Sequence, residues 1–144
     1  MKRFRKINNQ DGAALVEFAI VLPVLLLLIF GMLEFSIMLY DKAMLTNASR
    51  EGTRLGILFR PAPIPATVYT VDIPTTVNSY LQNNLISLGG ASTWDTSVSG
   101  TCTAAGVPIT VTVTYPYTFL VLPGFLTSLA PNLTLGATTT MRCE

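Results

Sequence analysis

The chain has no histidine among its 144 residues. That absence removes Ser–His and Cys–His nucleophile pairs, together with the commonest metal ligand. Asp and Glu total eight, and they are scattered, with no two carboxylates at a spacing useful for general acid–base work. Only two cysteines occur, too few for a metal-type cysteine cluster. There is no glycine-rich phosphate-cradling loop, no internal repeat and no low-complexity tract. An enzyme, a bound cofactor or a metal centre is therefore not expected. The formal net charge of +1 gives no reason to expect nucleic acid as a partner.

What the chain does have is apolar surface: half of its residues are hydrophobic and only 12% are charged. The longest apolar run is Ala13 to Leu33, which contains one acid, Glu17, and one proline, Pro23. As a helix it would extend about 31 Å, enough for the hydrocarbon core of a bilayer. It is longer than the apolar part of a secretory signal, and no small-x-small cleavage site follows it, so the span is expected to be retained. Lys2, Arg3, Arg5 and Lys6 precede it with only Asp11 against them. The positive-inside bias puts this end in the cytoplasm and the C-terminal part outside.

The apolar run does not end in a turn. From Glu34 the pattern becomes amphipathic, with Met38, Leu45, Ala48, Gly52 and Leu55 on one face. Asp41, Lys42, Arg50, Glu51 and Arg54 are expected mostly off it. One helix of about 40 residues should thus begin in lipid and finish packed on a domain, with Pro23 as a kink site and Gly56 and Pro61 as its stop. Residues 60–65 read as a stiff proline linker. A second helix is expected from an Asp72 cap to a Gly89 stop, with Val77, Tyr80, Leu81, Leu85 and Leu88 inward. Ile109 to Tyr115 and Leu133 to Cys143 alternate with a period of two, and Thr93 to Val98 is a weaker strand with Trp94 as core anchor. The expected fold class is α+β: a long membrane-spanning N-terminal helix continuing into an outer domain with a short helix and a small antiparallel sheet. The expected organisation is a cytoplasmic basic leader at 1–12, a transmembrane helix at 13–33, an amphipathic extension at 34–56 and an extracytoplasmic α+β domain at 61–144. Residues 119–131 are very apolar for a connection, and read either as a buried short helix or as an exposed patch facing lipid or a partner.

Three stretches resemble one known family. Gly12-Ala-Ala-Leu-Val-Glu-Phe-Ala-Ile-Val-Leu-Pro23, Gly31-Met-Leu-Glu-Phe35 and Thr46-Asn-Ala-Ser-Arg-Glu-Gly-Thr-Arg54 look like the TadE-like family of tight-adherence (Flp) pilus assembly proteins. Residues 107–144 resemble it loosely, and 61–106 carry no signature of it. The resemblance implies a minor pilin or pseudopilin of a bacterial adhesion and secretion system, inserted in the inner membrane and cut by a prepilin peptidase. Other pilins and inner-membrane assembly proteins would be its partners, beside the bilayer.

A glycine, a junction and a glutamate at the fifth position beyond it form the layout of a type IV prepilin leader, here Gly12, Ala13 and Glu17. Phe18 stands where tyrosine often follows the glutamate. A carboxylate costs roughly 2.5–3.5 kcal/mol at the centre of a membrane helix, so Glu17 is a functional candidate by default. It either pairs with the new amine of a neighbouring subunit and sets axial register, or snorkels to water. Glu34 closes the span. It is either an interfacial residue bordering screened water or a contact to another pilin helix. Arg50, Glu51 and Arg54 are either a solvated face or a docking surface for a partner helix. Cys102 and Cys143 both lie in the part placed outside the cytosol, where a disulfide is favoured over two free thiols. An unprocessed single-pass anchor whose outer domain binds another membrane protein or a surface ligand is the alternative.

Overall fold

In the computed structural model of the chain, the described residues are 9–58, 60–61, 63–87, 93–119, 121, 124 and 133–144. The basic leader lies largely outside them, as does most of 119–131. Helix α1 runs from Asn9–Ile57 without interruption, straight through Pro23. A proline forfeits one backbone bond, and the turns on either side keep theirs. Leu33 is the last position before the burial pattern changes. From Leu15 to Leu33 the large apolar side chains are nearly all exposed, whereas Glu34, Asp41, Leu45, Ala48, Ser49, Gly52, Thr53 and Gly56 are buried. The same helix is therefore a bare apolar rod in its first half and one wall of a core in its second.

Beyond α1 the chain turns through the linker, where Arg60 Nη1 donates to the Leu55 carbonyl at 3.0 Å and satisfies one of the free acceptors at the helix end. A single π-helical turn, Val68–Asp72, leads into α2, Ile73–Asn84. The expected Asp72 cap is a correction. Asp72 already has helical dihedrals and its side chain caps nothing, because the π turn has started the helix before it. Pro74 accounts for the widening, since it has no N–H to give to the preceding turn. The Gly89 stop is likewise replaced. Leu85 is already extended (φ −73°, ψ 140°), and the Ile86 N–H donates to Asp41 Oδ1 at 3.0 Å instead of continuing the helix. Gly89 and Leu88 lie outside the described residues.

Three antiparallel strands complete the domain in the order β1 (Asp95–Ser99), β2 (Pro108–Tyr117), β3 (Leu133–Arg142). Their register pairs Val111 with Val98 and Thr139, and Val113 with Ala137. One sheet face carries Ile109, Val111, Val113, Tyr115 and Tyr117, all buried against α1 and α2. The other is a hydroxyl face, where Thr110–Thr140 and Thr112–Thr138 pair across the strands at 2.8 and 3.1 Å. Trp94, expected in the core, is half-buried at its margin and donates Nε1–H to Asn78 Oδ1 at 2.6 Å.

Helix α1 and α2 meet at glycine. A methyl on Gly52 would lie 2.7 Å from Val77 Cγ2 and 3.2 Å from Ile73 Cγ2. Glycine to alanine in an open helix gains up to about 1 kcal/mol. At Gly52 the sign should reverse, with Gly52→Ala losing roughly 1–3 kcal/mol through overpacking against branched side chains that cannot bend away. Gly31→Ala, whose methyl meets nothing within 4 Å, should lose nothing. Urea unfolding of the two variants in detergent, followed through Trp94, checks the contrast.

Candidate functional site

The chemistry-bearing residues of α1 fall into two sets. Gly12, Ala13, Glu17 and Phe18 are exposed on the apolar half of the helix among the described residues. Arg50, Glu51 and Arg54 are exposed on the outer side of the second half. Glu51 and Arg54 approach to 3.8 Å, an i,i+3 pair with both side chains in solvent. Such a pair contributes only tenths of a kcal/mol.

Glu34 differs from both sets. It does not border screened water, and this corrects the sequence expectation. Only 3% of its surface is exposed. Tyr117 donates its hydroxyl to Glu34 Oε1 at 2.5 Å, and the Val121 N–H donates to Oε2 at 2.7 Å. The carboxylate therefore joins the helix at the edge of the apolar span to the end of β2 and the segment beyond it. Tyr117 stands edge-on to Tyr115 on one side and to Phe119 on the other, with ring centroids 6.3 and 5.8 Å apart. Burial raises the Tyr117 hydroxyl pKa above its ordinary value, and the hydrogen bond and negative charge of Glu34 raise it further. The tyrosine stays protonated and keeps donating.

Asp41, two turns further along the same face, is fully buried, a second correction. Its Oδ1 accepts from Ile86, while Oδ2 has no hydrogen-bond partner among the described residues. Desolvation raises its pKa, with the Ile86 N–H pulling the other way. Its charge also raises the pKa of Tyr115, second to burial. The sign of the linkage follows. A carboxylate with a raised folded pKa adds no penalty below the ordinary carboxylate range, and destabilises increasingly as pH climbs from there through the folded value. Asp41→Asn should therefore gain on the wild type as pH goes from 4 to 8. An orphaned amide adds only a pH-independent offset. Unfolding midpoints at the two pH values read the slope, and a pH-independent difference would contradict it.

Further up α1, Ser49 and Thr139 share a hydroxyl hydrogen bond at 2.7 Å and Thr53 donates to the Ser49 carbonyl at 2.6 Å. Lys42 Nζ donates to the Gly136 carbonyl. The Ser49–Thr139 and Lys42–Gly136 bonds fix the helix against β3. Glu34 and Asp41 had a sequence signal. They fill positions four before and three after Met38, in step with the apolar residues. Among the described residues, no group of three or more Cys, Asp or Glu is placed to hold a metal ion.

Residues 12–54 match a family model described as TadE-like protein. Over that stretch the chain is similar to TadE-like proteins. No curated protein and no solved structure matches the chain. The TadE-like segment covers the whole apolar span, Glu17, Glu34, Asp41 and the Arg50–Arg54 surface, and ends one turn short of the end of α1. Among the described residues one helix is long and apolar enough to cross a membrane, with a mean hydropathy of 2.8 in its best window and none of that window buried. With the TadE-like match it marks a membrane protein with a single span. Cys102 and Cys143 form a disulfide, their Cα atoms 5.7 Å apart.

Proposed function

We propose that the chain is a pilin-like membrane component of a bacterial tight-adherence (Flp) pilus. In this reading it sits in the inner membrane, is cut after Gly12 by a prepilin peptidase, and acts with other pilins and assembly proteins in starting or building the pilus. The TadE-like match over 12–54 carries the reading. The bare helix supports it, since Glu17 is an exposed acid on a lipid-length apolar surface that none of the described residues covers. A carboxylate in that setting needs a partner from outside the chain. Cleavage would create one, because the amine of Ala13 in a neighbouring subunit is a cation at membrane depth. Desolvation offsets much of the Coulomb gain, so the pair serves register more than stability. The four basic residues before the span support a cytoplasmic N-terminus and an outer domain beyond the membrane. The exposed Arg50, Glu51 and Arg54 serve as the contact to a partner helix above the bilayer.

N-terminal sequencing from cells with an active prepilin peptidase should find Ala13 first. Glu17→Gln should be inserted and processed normally but should form few pili. A wild-type protein that keeps Met1 would replace this reading with that of an unprocessed anchor. Full piliation by processed Glu17→Gln would remove the register role and leave the cleavage intact.

A further inference from the structure

Phe119 packs against α1 where the apolar span ends. It lines a cleft with Gly31, Glu34, Phe35 and Met38, and Gly31 belongs to the last turn of the apolar span. The Val121 N–H is tied to Glu34, the first residue after that span. The segment just beyond β2 is therefore held against α1 at the end of the apolar span. No Asp, Glu, Lys or Arg occurs from Thr96 to Met141, so nothing charged in this part of the sequence opposes contact with lipid. Phe35 and Leu39, on the helix beside it, are more than half exposed, and Tyr40 is 41% exposed where an interfacial aromatic belt would run. A backbone N–H that meets lipid needs an acceptor from the protein, and Glu34 supplies one to Val121.

We infer that the outer domain makes a second, non-spanning membrane contact: the segment just beyond β2, with Phe119 and Val121, rests in the interfacial layer of the bilayer beside α1. The occupant of this surface is lipid. The continuity of the cleft with the lipid-facing helix and the long uncharged stretch both select it. The contact would hold the domain at a fixed height and tilt above the membrane, with the Glu34 carboxylate as the pin.

The inference rests on α1 spanning the bilayer, and the test separates the two. The full chain with Trp94→Phe is placed in phosphatidylcholine vesicles containing lipids brominated either near the headgroup or deep in the acyl chain. Single tryptophans are then introduced as Phe119→Trp, Leu26→Trp in the middle of the span, and Val71→Trp at the far end of the domain. Leu26→Trp should lose its emission to deep bromines. Phe119→Trp should lose most of its emission to shallow bromines, and Val71→Trp should keep its own. If Leu26→Trp is quenched while Phe119→Trp behaves like Val71→Trp, the second contact is overturned and the span stands. If Leu26→Trp is unquenched, both fall. Blue-shifted but unquenched emission from Phe119→Trp would mean that protein, not lipid, covers this surface, and would also overturn the proposal.

Discussion

Removing the Cys102–Cys143 bridge should lower the stability of the outer domain by about 4 kcal/mol, the chain-entropy figure for a loop of this length. The bridge spans 41 residues of sequence and encloses β2 and β3. The folded backbone around it is held by other bonds. Cys143 N–H donates to Val107 O at 2.9 Å, Gly106 N–H to Cys143 O at 2.8 Å, and Cys102 N–H to Tyr69 Oη at 2.9 Å. The native state should therefore persist without the bridge, and the loss should come from the greater freedom of the unfolded chain. Cys102→Ser with Cys143→Ser should unfold at lower urea with a steeper dependence, since the unlinked chain exposes more surface. Wild-type protein should show no reactive thiol until it is reduced. Equal midpoints with and without the bridge would mean that strain cancels its benefit.

The sequence was most legible where one periodicity held over many residues. The three strands stand where alternation put them, and α1 ends at Ile57, beside the Gly56 stop. Legibility failed where a distant group decided a local outcome. Leu85 and Ile86 have helix-compatible neighbours, but Asp41, 45 residues earlier, takes the Ile86 N–H and ends α2. Asp72 had the right side chain for a cap, and the π turn before it left that side chain no free N–H to accept from. Asp41 was expected off the apolar face, and Glu34 at the interface or against another pilin helix. Their register said otherwise, and their donors come from residues 83 and 45 positions away, beyond the reach of local pattern. The apolar stretch 119–131 stayed ambiguous for a related reason. Composition cannot separate burial in protein from burial in lipid, and most of that stretch lies outside the described residues.

Glu34→Ala should destabilise the chain by about 3 kcal/mol, because it leaves two buried donors without an acceptor. Tyr117 Oη–H and Val121 N–H both point at its carboxylate. Tyr117→Phe should lose less, roughly 1.5–3 kcal/mol, since Val121 still serves the other oxygen. Glu34→Gln should be mildest. Its carbonyl can take the Val121 N–H while its amide donates to the tyrosine oxygen, which turns from donor to acceptor. The double variant Glu34→Ala, Tyr117→Phe should cost less than the sum of its parts, with a coupling of about 1 kcal/mol or more for groups in direct contact. Urea unfolding of the monomeric chain in detergent measures all four. The design also separates two roles. A residue that served only another subunit's helix would leave unfolding of the isolated chain unchanged, as Glu17→Gln should, because Glu17 is exposed among the described residues. If Glu34→Ala and Glu17→Gln both leave the midpoint where it was, Glu34 does not lock the domain to the span. If only Glu34→Ala moves it, the two acids of the helix have separate tasks: Glu34 sets the domain on its stalk, and Glu17 remains free for a neighbour.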